Sequence, residues 1–247
     1  MRTLVVIPTY NERENLETVV RGVLDLVSDE VDLLIVDDAS PDGTGRLADG
    51  LVQSHPGRVR VLHRPARSGL GGAYLDGFRL AVEYDYEAVC ELDADGSHDP
   101  ADLMRLIAAV HDGADAAIGS RRVSGGRVEG WGWWRRILSQ CASFVSRVLL
   151  KLKTRDASAG FRCLGRRAVE VLLSADIRSR GYAFQEESLF WLERSGCRIV
   201  ELPVVFRNRR LGRSKASWRE ALGLIAVLIR LTAVRLRRNV DRSDVLG

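Results

Sequence analysis

An α/β fold built on a mainly parallel sheet is predicted by three observations. Apolar, β-branched runs alternate with helical patterns through the first half of the chain: Thr3 to Pro8, Val31 to Val36, Val59 to Leu62 and Ala88 to Leu92. Each run ends in polar, turn-forming residues, at the edge where open α/β sheets bind ligands. The fourth run delivers two carboxylates, Asp93 and Asp95, in the spacing Asp-x-Asp.

Taken in order, the first run closes in Thr9-Tyr10-Asn11-Glu12-Arg13-Glu14-Asn15 and leads into a helix. The second opens onto Asp37-Asp38-Ala39-Ser40-Pro41-Asp42-Gly43-Thr44, where Asp42 reads as a helix N-cap. The third precedes Gly69-Leu70-Gly71-Gly72-Ala73 at the head of another helix. Glycines there let the backbone approach a bound ligand closely, with a plain helix-start turn as the alternative. The stretch lacks the G-x-G-x-x-G of a dinucleotide site, which argues against an oxidoreductase. After the fourth run, alternate residues of an extended segment point the same way, so Asp93 and Asp95 could share one divalent cation. Carboxylate oxygens suit Mg²⁺ or Mn²⁺; an acidic turn ending a strand is the plainer alternative. His98 reads as an exposed turn residue and Asp99, before Pro100, as a helix cap.

The chain has 247 residues, enough for one α/β domain with a sizeable core, and shows no linker, repeat or low-complexity tract. Cys90, Cys141, Cys163 and Cys197 show no C-x-x-C spacing and read as reduced residues of a cytosolic protein. Met1-Arg2 leads directly into a strand, so no signal peptide is expected. Net charge is +4, and lysine occurs only at 151, 153 and 215, so the basic complement is almost all arginine. Arginines crowd two places, Arg121 to Arg136 and Arg207 to Arg213. No helix-turn-helix, zinc or RNA-binding aromatic motif accompanies them, so nucleic acid is not an expected partner. Phosphorylated small molecules and an anionic membrane face account better for that charge.

The run from Ala221 to Ile229 is strongly apolar, but Arg230 interrupts it and Arg235-Leu236-Arg237-Arg238 follows. A span needs about 20 apolar residues, more than twice this run. A helix lying in the membrane interface fits it, and so does a helix packed on the domain or on an oligomer. Trp131, Trp133 and Trp134 beside Arg135 and Arg136 add a second interfacial pattern, with an internal tryptophan cluster as its alternative.

Eight motifs stand in order: Pro8-Thr9-Tyr10-Asn11-Glu12; Val36-Asp37-Asp38-Ala39-Ser40-Pro41-Asp42-Gly43-Thr44; Gly69-Leu70-Gly71; Asp93-Ala94-Asp95; Gly119-Ser120-Arg121; Trp134-Arg135-Arg136-Ile137-Leu138-Ser139; Asp156-Ala157-Ser158-Ala159-Gly160-Phe161; and Arg209 with Gly212-Arg213-Ser214-Lys215. In them the chain resembles the family 2 GT-A glycosyltransferases, and within these the dolichol-phosphate mannose synthase (polyprenol monophosphomannose synthase) group. The resemblance runs from about Arg2 to Trp218. It implies a GT-A, Rossmann-like catalytic domain over 1–217, with a mixed, mainly parallel sheet flanked by helices. An amphipathic, basic tail would follow over 218–247.

The resemblance also implies roles. Pro8, Tyr10, Glu12, Asp38, Gly69, Gly71 and Asp93 would hold the donor nucleotide, with Asp37 open as a substitute for Asp38. Asp95, with Asp93, would hold Mg²⁺ or Mn²⁺. Relatives often carry glutamine two residues further on, where this chain has Ser97, so the third ligand stays open between Ser97, His98 and water. Arg121, Arg135 and Ser139 would hold the acceptor phosphate; Arg135 and Ser139 are i, i+4 on one helix face. Asp95, Arg121 and Arg135 would be the catalytic set. Arg209 and Lys215 would close over a phosphate, in a loop where Arg213 replaces the family's usual glutamate. Gln185 and Glu187 would contact sugar hydroxyls, or else open a helix with exposed acids.

The implied reaction is metal-dependent, inverting transfer of mannose from GDP-mannose to a polyprenyl monophosphate. A polyprenyl-phosphate glucosyltransferase, or another sugar-nucleotide-dependent enzyme of this kind, is the alternative. Expected partners are an anionic membrane surface and either a membrane protein or a second copy. The expected location is cytoplasmic, peripheral on the inner membrane face.

Overall fold

The structure, a computed structural model, describes residues 1–208 and 218–243. The first half runs β1 (Thr3–Thr9), α1 (Leu16–Leu24), β2 (Val31–Asp37), α2 (Thr44–Ser54), β3 (Val59–His63), α3 (Leu70–Glu83), β4 (Ala88–Glu91), α4 (Pro100–His111) and β5 (Ala116–Ser120). The second half runs β6 (Arg127–Glu129), α5 (Trp133–Leu150), β7 (Arg162–Gly165), α6 (Arg166–Ser174), α7 (Phe184–Arg194), β8 (Ile199–Pro203), β9 (Val205–Arg207) and α8 (Trp218–Ser243).

Seven strands form one sheet in the order β3-β2-β1-β4-β7-β5-β8. All its pairings are parallel except those of β7, which runs antiparallel to both β4 and β5. Every residue of β2, and Thr3 to Ile7 of β1, is buried, as expected where helices cover both faces of a parallel sheet. Alternation then sorts the side chains into two layers. Val5 and Ile7 of β1 pack with Leu16, Val20, Leu103 and Leu106 from α1 and α4. Leu4 and Val6 pack on the other face with Tyr74, Phe78, Leu172 and Phe184 from α3, α6 and α7. Strand order reverses between β1 and β4, which opens a crevice at their C-terminal ends.

β6 and β9 form a separate parallel ribbon, with Val128 opposite Phe206, beyond the end of β5. Helix α5 is built inside out. It buries Ser143, Ser146 and Leu150, while Trp134, Leu138, Cys141, Val145 and Val148, at alternating steps of four and three, are exposed. Such spacing holds residues on one helical stripe, and in a soluble helix the apolar stripe faces the core. α8 lies against α5 and α7. It buries Val227, Leu228 and Leu231 and exposes Leu222, Ile225 and Ile229. Arg235 is half-buried and reaches across to α5. Its Nη1 donates to the Leu149 carbonyl at 2.7 Å, placing a cation at the C-terminal end of α5. Among the described residues no helix is long and apolar enough to cross a membrane.

Candidate active site

The residues expected to hold a donor nucleotide gather at the ends of β1, β2 and β3. Asp38 is buried, and its carboxylate ties down the loop leading to α3. Oδ1 accepts from Arg64 Nη1 at 2.8 Å and the Ser68 N–H at 2.9 Å, and Oδ2 accepts from the Gly69 N–H at 2.8 Å. A carboxylate has about four acceptor positions, so one is left over for a base or ribose. Asp37 accepts from the Thr9 hydroxyl of the neighbouring strand β1 and from the Ser40 N–H of its own turn. Arg67 lies over the Tyr10 ring at 4.0 Å, so Tyr10 and this loop face each other. Glu12 is buried beside Pro8 and Tyr10 and accepts from Asn15 Nδ2 at 3.0 Å. Asp42 is not itself the N-cap of α2, which is Gly43, but stands one residue before it and accepts from the Thr44 N–H at 3.0 Å and its hydroxyl at 2.6 Å.

Gly69 and Gly71 are needed for a reason the sequence did not reveal. What comes close to them is the chain's own backbone: the carbonyls of Arg180 and Ser179 occupy the space a Cβ would take. Gly69 also has φ of +88°, which favours glycine.

Asp93 and Asp95 leave the end of β4 on a tight turn. Asp95 is buried and accepts the Ser97 N–H at 3.0 Å, whereas the Asp93 side chain is about a third exposed (32%). His98 is a correction to the sequence reading: it is buried, stacked on Phe161 with centroids 4.7 Å apart. Its Nδ1 accepts the Asp93 N–H at 3.3 Å, which assigns the proton to Nε2, 3.8 Å from Asp93 Oδ2. Burial pushes its pKa down to about 4, assisted by the Arg121 charge and opposed by Asp95, so the ring is neutral at pH 7. Asp99 caps α4 through the Ala101 N–H, as expected.

Gln185 and Glu187 separate in the structure. The buried Gln185 amide lies across Gly160 from Asp93: a Cβ on Gly160 would sit 3.5 Å from its Nε2 and 3.9 Å from both Asp93 oxygens. Glu187, in place of the expected sugar contact, is fully buried and receives the N–H groups of Arg178 and Ser179, the Ser179 hydroxyl and Arg230. Its four partners are protein groups, so Gln185 alone of the two stands beside Asp93.

The residues expected to face an acceptor are organised by Asp156, which stands in one of the sequence motifs without an expected role. Arg121 donates to it three times: Nε at 2.8 Å, Nη2 at 2.7 Å and the backbone N–H at 2.9 Å. Burial alone would raise the Asp156 carboxyl, but these bonds hold it below the usual carboxylate range. Nη2 also donates to the Ser158 hydroxyl at 2.9 Å, so the two N–H groups of Nη1 are left over. Ser139 meets Arg122, not Arg121: Arg122 Nη2 donates to its hydroxyl at 3.1 Å and its carbonyl at 2.9 Å. Arg135 is exposed and stacks over Trp131 at 4.2 Å. Trp131, Arg121 and His98 all border the Phe206 ring. Arg122, Asp156 and Phe206 are therefore members the sequence reading missed. The i, i+4 pattern marked Ser139 but gave no sign of a partner seventeen positions back. Arg209 and Lys215 lie outside the described residues.

Beneath the site, Glu91 of β4 faces Arg162 of β7 in the antiparallel register, both fully buried. Burial raises the Glu91 carboxyl to about 7 against the pull of Arg162. The Gln185 amide lies near enough to favour the ion without meeting hydrogen-bonding geometry. Glu186 is raised to about 7 by burial as well, opposed by its backbone bond and by Arg162 and Arg121.

The donor set fits a divalent cation of the kind that completes its shell with substrate phosphate and water. Asp93 and Asp95 supply carboxylate oxygens, and among the described residues no third His, Cys, Asp or Glu joins them. Hard oxygen donors without thiolates suit Mg²⁺ or Mn²⁺.

Residues 4–173 match the family described as glycosyl transferase family 2. The chain is 47% identical over 228 residues to the polyprenol monophosphomannose synthase of Mycolicibacterium smegmatis, covering 91% of this chain and 86% of that protein. Among solved structures, glucosyl-3-phosphoglycerate synthase from Mycobacterium tuberculosis in complex with phosphoglyceric acid superposes with a TM-score of 0.70 at 20% identity, covering 94% of this chain and 80% of that one. The mannosyltransferase PcManGT from Pyrobaculum calidifontis, in complex with GDP-Man and Mn²⁺, does so with a TM-score of 0.63 at 20% identity, covering 96% and 64%. The chain belongs to glycosyl transferase family 2, and its fold is GT-A-like.

The raised Glu186 carboxyl gives a pH signature. Between its ordinary 4.5 and the native value of about 7, the unfolded chain has released this proton and the native state has not. Its contribution is therefore fully present below 4.5 and lost as pH rises through 7. The stability of wild type minus that of Glu186→Gln should fall across this window, at a slope approaching about 1.4 kcal/mol per pH unit in denaturant melts. The opposite trend of His98 is common to both proteins and cancels. A flat difference would contradict the assignment.

Proposed function

We propose that this chain transfers a mannosyl group from GDP-mannose to a polyprenyl monophosphate at a membrane surface. The observation that carries the reading is a juxtaposition. The arginine platform around Asp156 is fastened, through Arg122 and Ser139, to a helix whose outer face is apolar. Arg121 is also within electrostatic reach of Asp93. An acceptor with a phosphate head and a hydrocarbon tail matches both halves of that surface.

On this reading the nucleotide lies against Pro8, Tyr10, Glu12, Asp38 and the loop through Gly69 and Gly71. A metal held by Asp93 and Asp95 would supply positive charge to the diphosphate as it departs. Arg121, with two N–H groups left over, and the exposed Arg135 hold the acceptor phosphate, and Ser139 keeps Arg122 in line behind them. Gln185 faces the sugar. The acceptor oxygen is already ionised near neutral pH, so no residue has to remove a proton. It forms a bond to the anomeric carbon on one face while the bond to the GDP oxygen breaks on the other, and GDP leaves with the electron pair. Inversion follows from that single displacement. The residues contribute position and charge.

The apolar stripes of α5 and α8 support attachment to a bilayer surface. Together they expose Trp134, Leu138, Val145, Leu222, Ile225 and Ile229, a set too large for scattered surface residues. The exposed Arg135 and Arg136 stand at the start of α5, where anionic headgroups would meet them. Attachment there would set the protein on the inner membrane face.

Two experiments test this. Mannosyl transfer from GDP-mannose to a short-chain polyprenyl phosphate should be lost in EDTA and restored by Mg²⁺ or Mn²⁺. Asp95→Asn should lower it by at least about a hundredfold without unfolding the protein. Faster turnover of UDP-glucose would instead favour the glucosyl alternative, and full turnover in excess EDTA would remove the metal. In vesicle sedimentation, replacing Trp133 and Trp134 together with serine should weaken binding to anionic vesicles. Unchanged binding would make the stripe a packing surface.

A further inference from the structure

Arg230 sits beside Ile229 on a helix with an apolar outer face, and its side chain turns inward. Its Nη2 donates to Glu187 and its Nη1 to the Asp176 carbonyl at 3.3 Å. Glu187 is fully buried and also holds the backbone of the segment before α7, accepting the N–H groups of Arg178 at 3.2 Å and Ser179 at 2.9 Å. Arg178 is the other cation near this carboxylate, but its guanidinium pairs with Asp176 on the surface. Further along α8, Glu220 accepts the Tyr182 N–H at 2.9 Å. One helix thus grips the 176–182 segment at both ends.

That segment is the wall against which the head of α3 is built. The Arg180 carbonyl accepts the Gly71 N–H at 2.9 Å, and the Ser179 and Arg180 carbonyls fill the space beside Gly71 and Gly69. The Gly69 N–H in turn donates to Asp38 Oδ2, and the Ser68 N–H to Asp38 Oδ1. Four contacts and the Ser179–Arg180 peptide bond therefore run from Arg230 through Glu187, Ser179, Arg180 and Gly69 to Asp38, and Gly71 hangs on the same Arg180 carbonyl.

We propose that Arg230 is a positioning residue for the nucleotide loop: by holding Glu187 it fixes the Ser179–Arg180 carbonyls, and these set where Gly69, Gly71 and Asp38 meet the donor. The inference rests on the reading of this loop as the donor site. Without Arg230, the buried Glu187 loses its main counter-charge and must turn towards water or take up a proton. Either change loosens the two amide bonds that hold Arg178 and Ser179. The acceptor platform around Asp156 shares none of these contacts.

The test uses the full chain with Arg230→Gln and Arg230→Lys. GDP with Mg²⁺ is titrated calorimetrically, amide exchange is followed at residues 68–71, and the KM of a water-soluble short-chain polyprenyl phosphate is measured. Arg230→Gln should raise the GDP Kd by about tenfold, the size of ordinary site-to-site coupling, and leave the acceptor KM within about twofold. It should also speed exchange of the Gly69 and Gly71 N–H groups, and Arg230→Lys should restore part of each effect. A lowered melting temperature with unchanged GDP affinity and unchanged exchange would make Arg230 a mere tether for α8 and overturn the proposal. Should Arg230→Gln not fold, Arg230→Lys must still raise the GDP Kd, and an unchanged value overturns the proposal equally. Were wild type to bind no GDP at all, the donor reading would fall, while the exchange of Gly69 and Gly71 would still decide whether Arg230 sets the loop.

Discussion

The Asp156 carboxylate is fully buried, and Arg121 surrounds it with three N–H donors. Removing a carboxylate from water is expensive, and such a pair survives only when its geometry is good and its remaining lone pairs are satisfied. Here the surroundings meet that condition. The Asp156 and Arg155 N–H groups are themselves held by Glu201 of β8, and those of Lys153 and Thr154 by Glu193 of α7. The pair joins the end of β5 to the loop that returns through Phe161 into β7. Phe161 supports His98, and His98 supports the backbone of Asp93. Removing the ion pair would therefore disturb the acceptor platform first and the carboxylate turn second.

The sheet divides the chemistry. The groups proposed for the donor come from the parallel edge β1-β2-β3, where the loop before α3 is pinned by Asp38 from one side and by the 179–180 backbone from the other. Those proposed for the acceptor come from β5, the β6–β9 ribbon and α5. Between them runs β7, the one antiparallel strand, which carries Arg162 into register with Glu91 directly under Asp93 and Asp95. The two halves thus meet over the buried Glu91 and Arg162 and a row of aromatic rings, and the stack of Phe161 on His98 links them.

Much of the fold was legible in the sequence because parallel strands buried on both faces read as continuous apolar runs. β1, β2 and β4 begin where their runs begin and end within a residue of them. β7 was not legible: four residues, Arg162 to Gly165, offer no pattern, and an arginine in a fully buried strand contradicts the usual composition signal. Asp93, Asp95, Asp38 and Gln185 were singled out in the sequence, and the structure places the three aspartates at strand ends and Gln185 at the start of α7. Their supporting partners were not, since Asp156 lies 35 positions from Arg121 and Glu187 lies 43 from Arg230. His98 was misread because a polar residue in a turn normally faces water, and only the Phe161 and Phe206 rings explain its burial. Arg230 read as an interruption of an apolar run; its partner lies on another helix.

The separation of the two halves can be measured directly with Asp156→Asn in the full chain, at a temperature where the variant remains folded. Losing the counter-charge of the buried Arg121 should destabilise the protein by about 3–5 kcal/mol. The KM for polyprenyl phosphate should rise by more than the Kd for GDP, because this pair reaches Asp93 only indirectly, through Phe161 and His98. A GDP Kd that rises as much as the acceptor KM would contradict the division of the site into two halves.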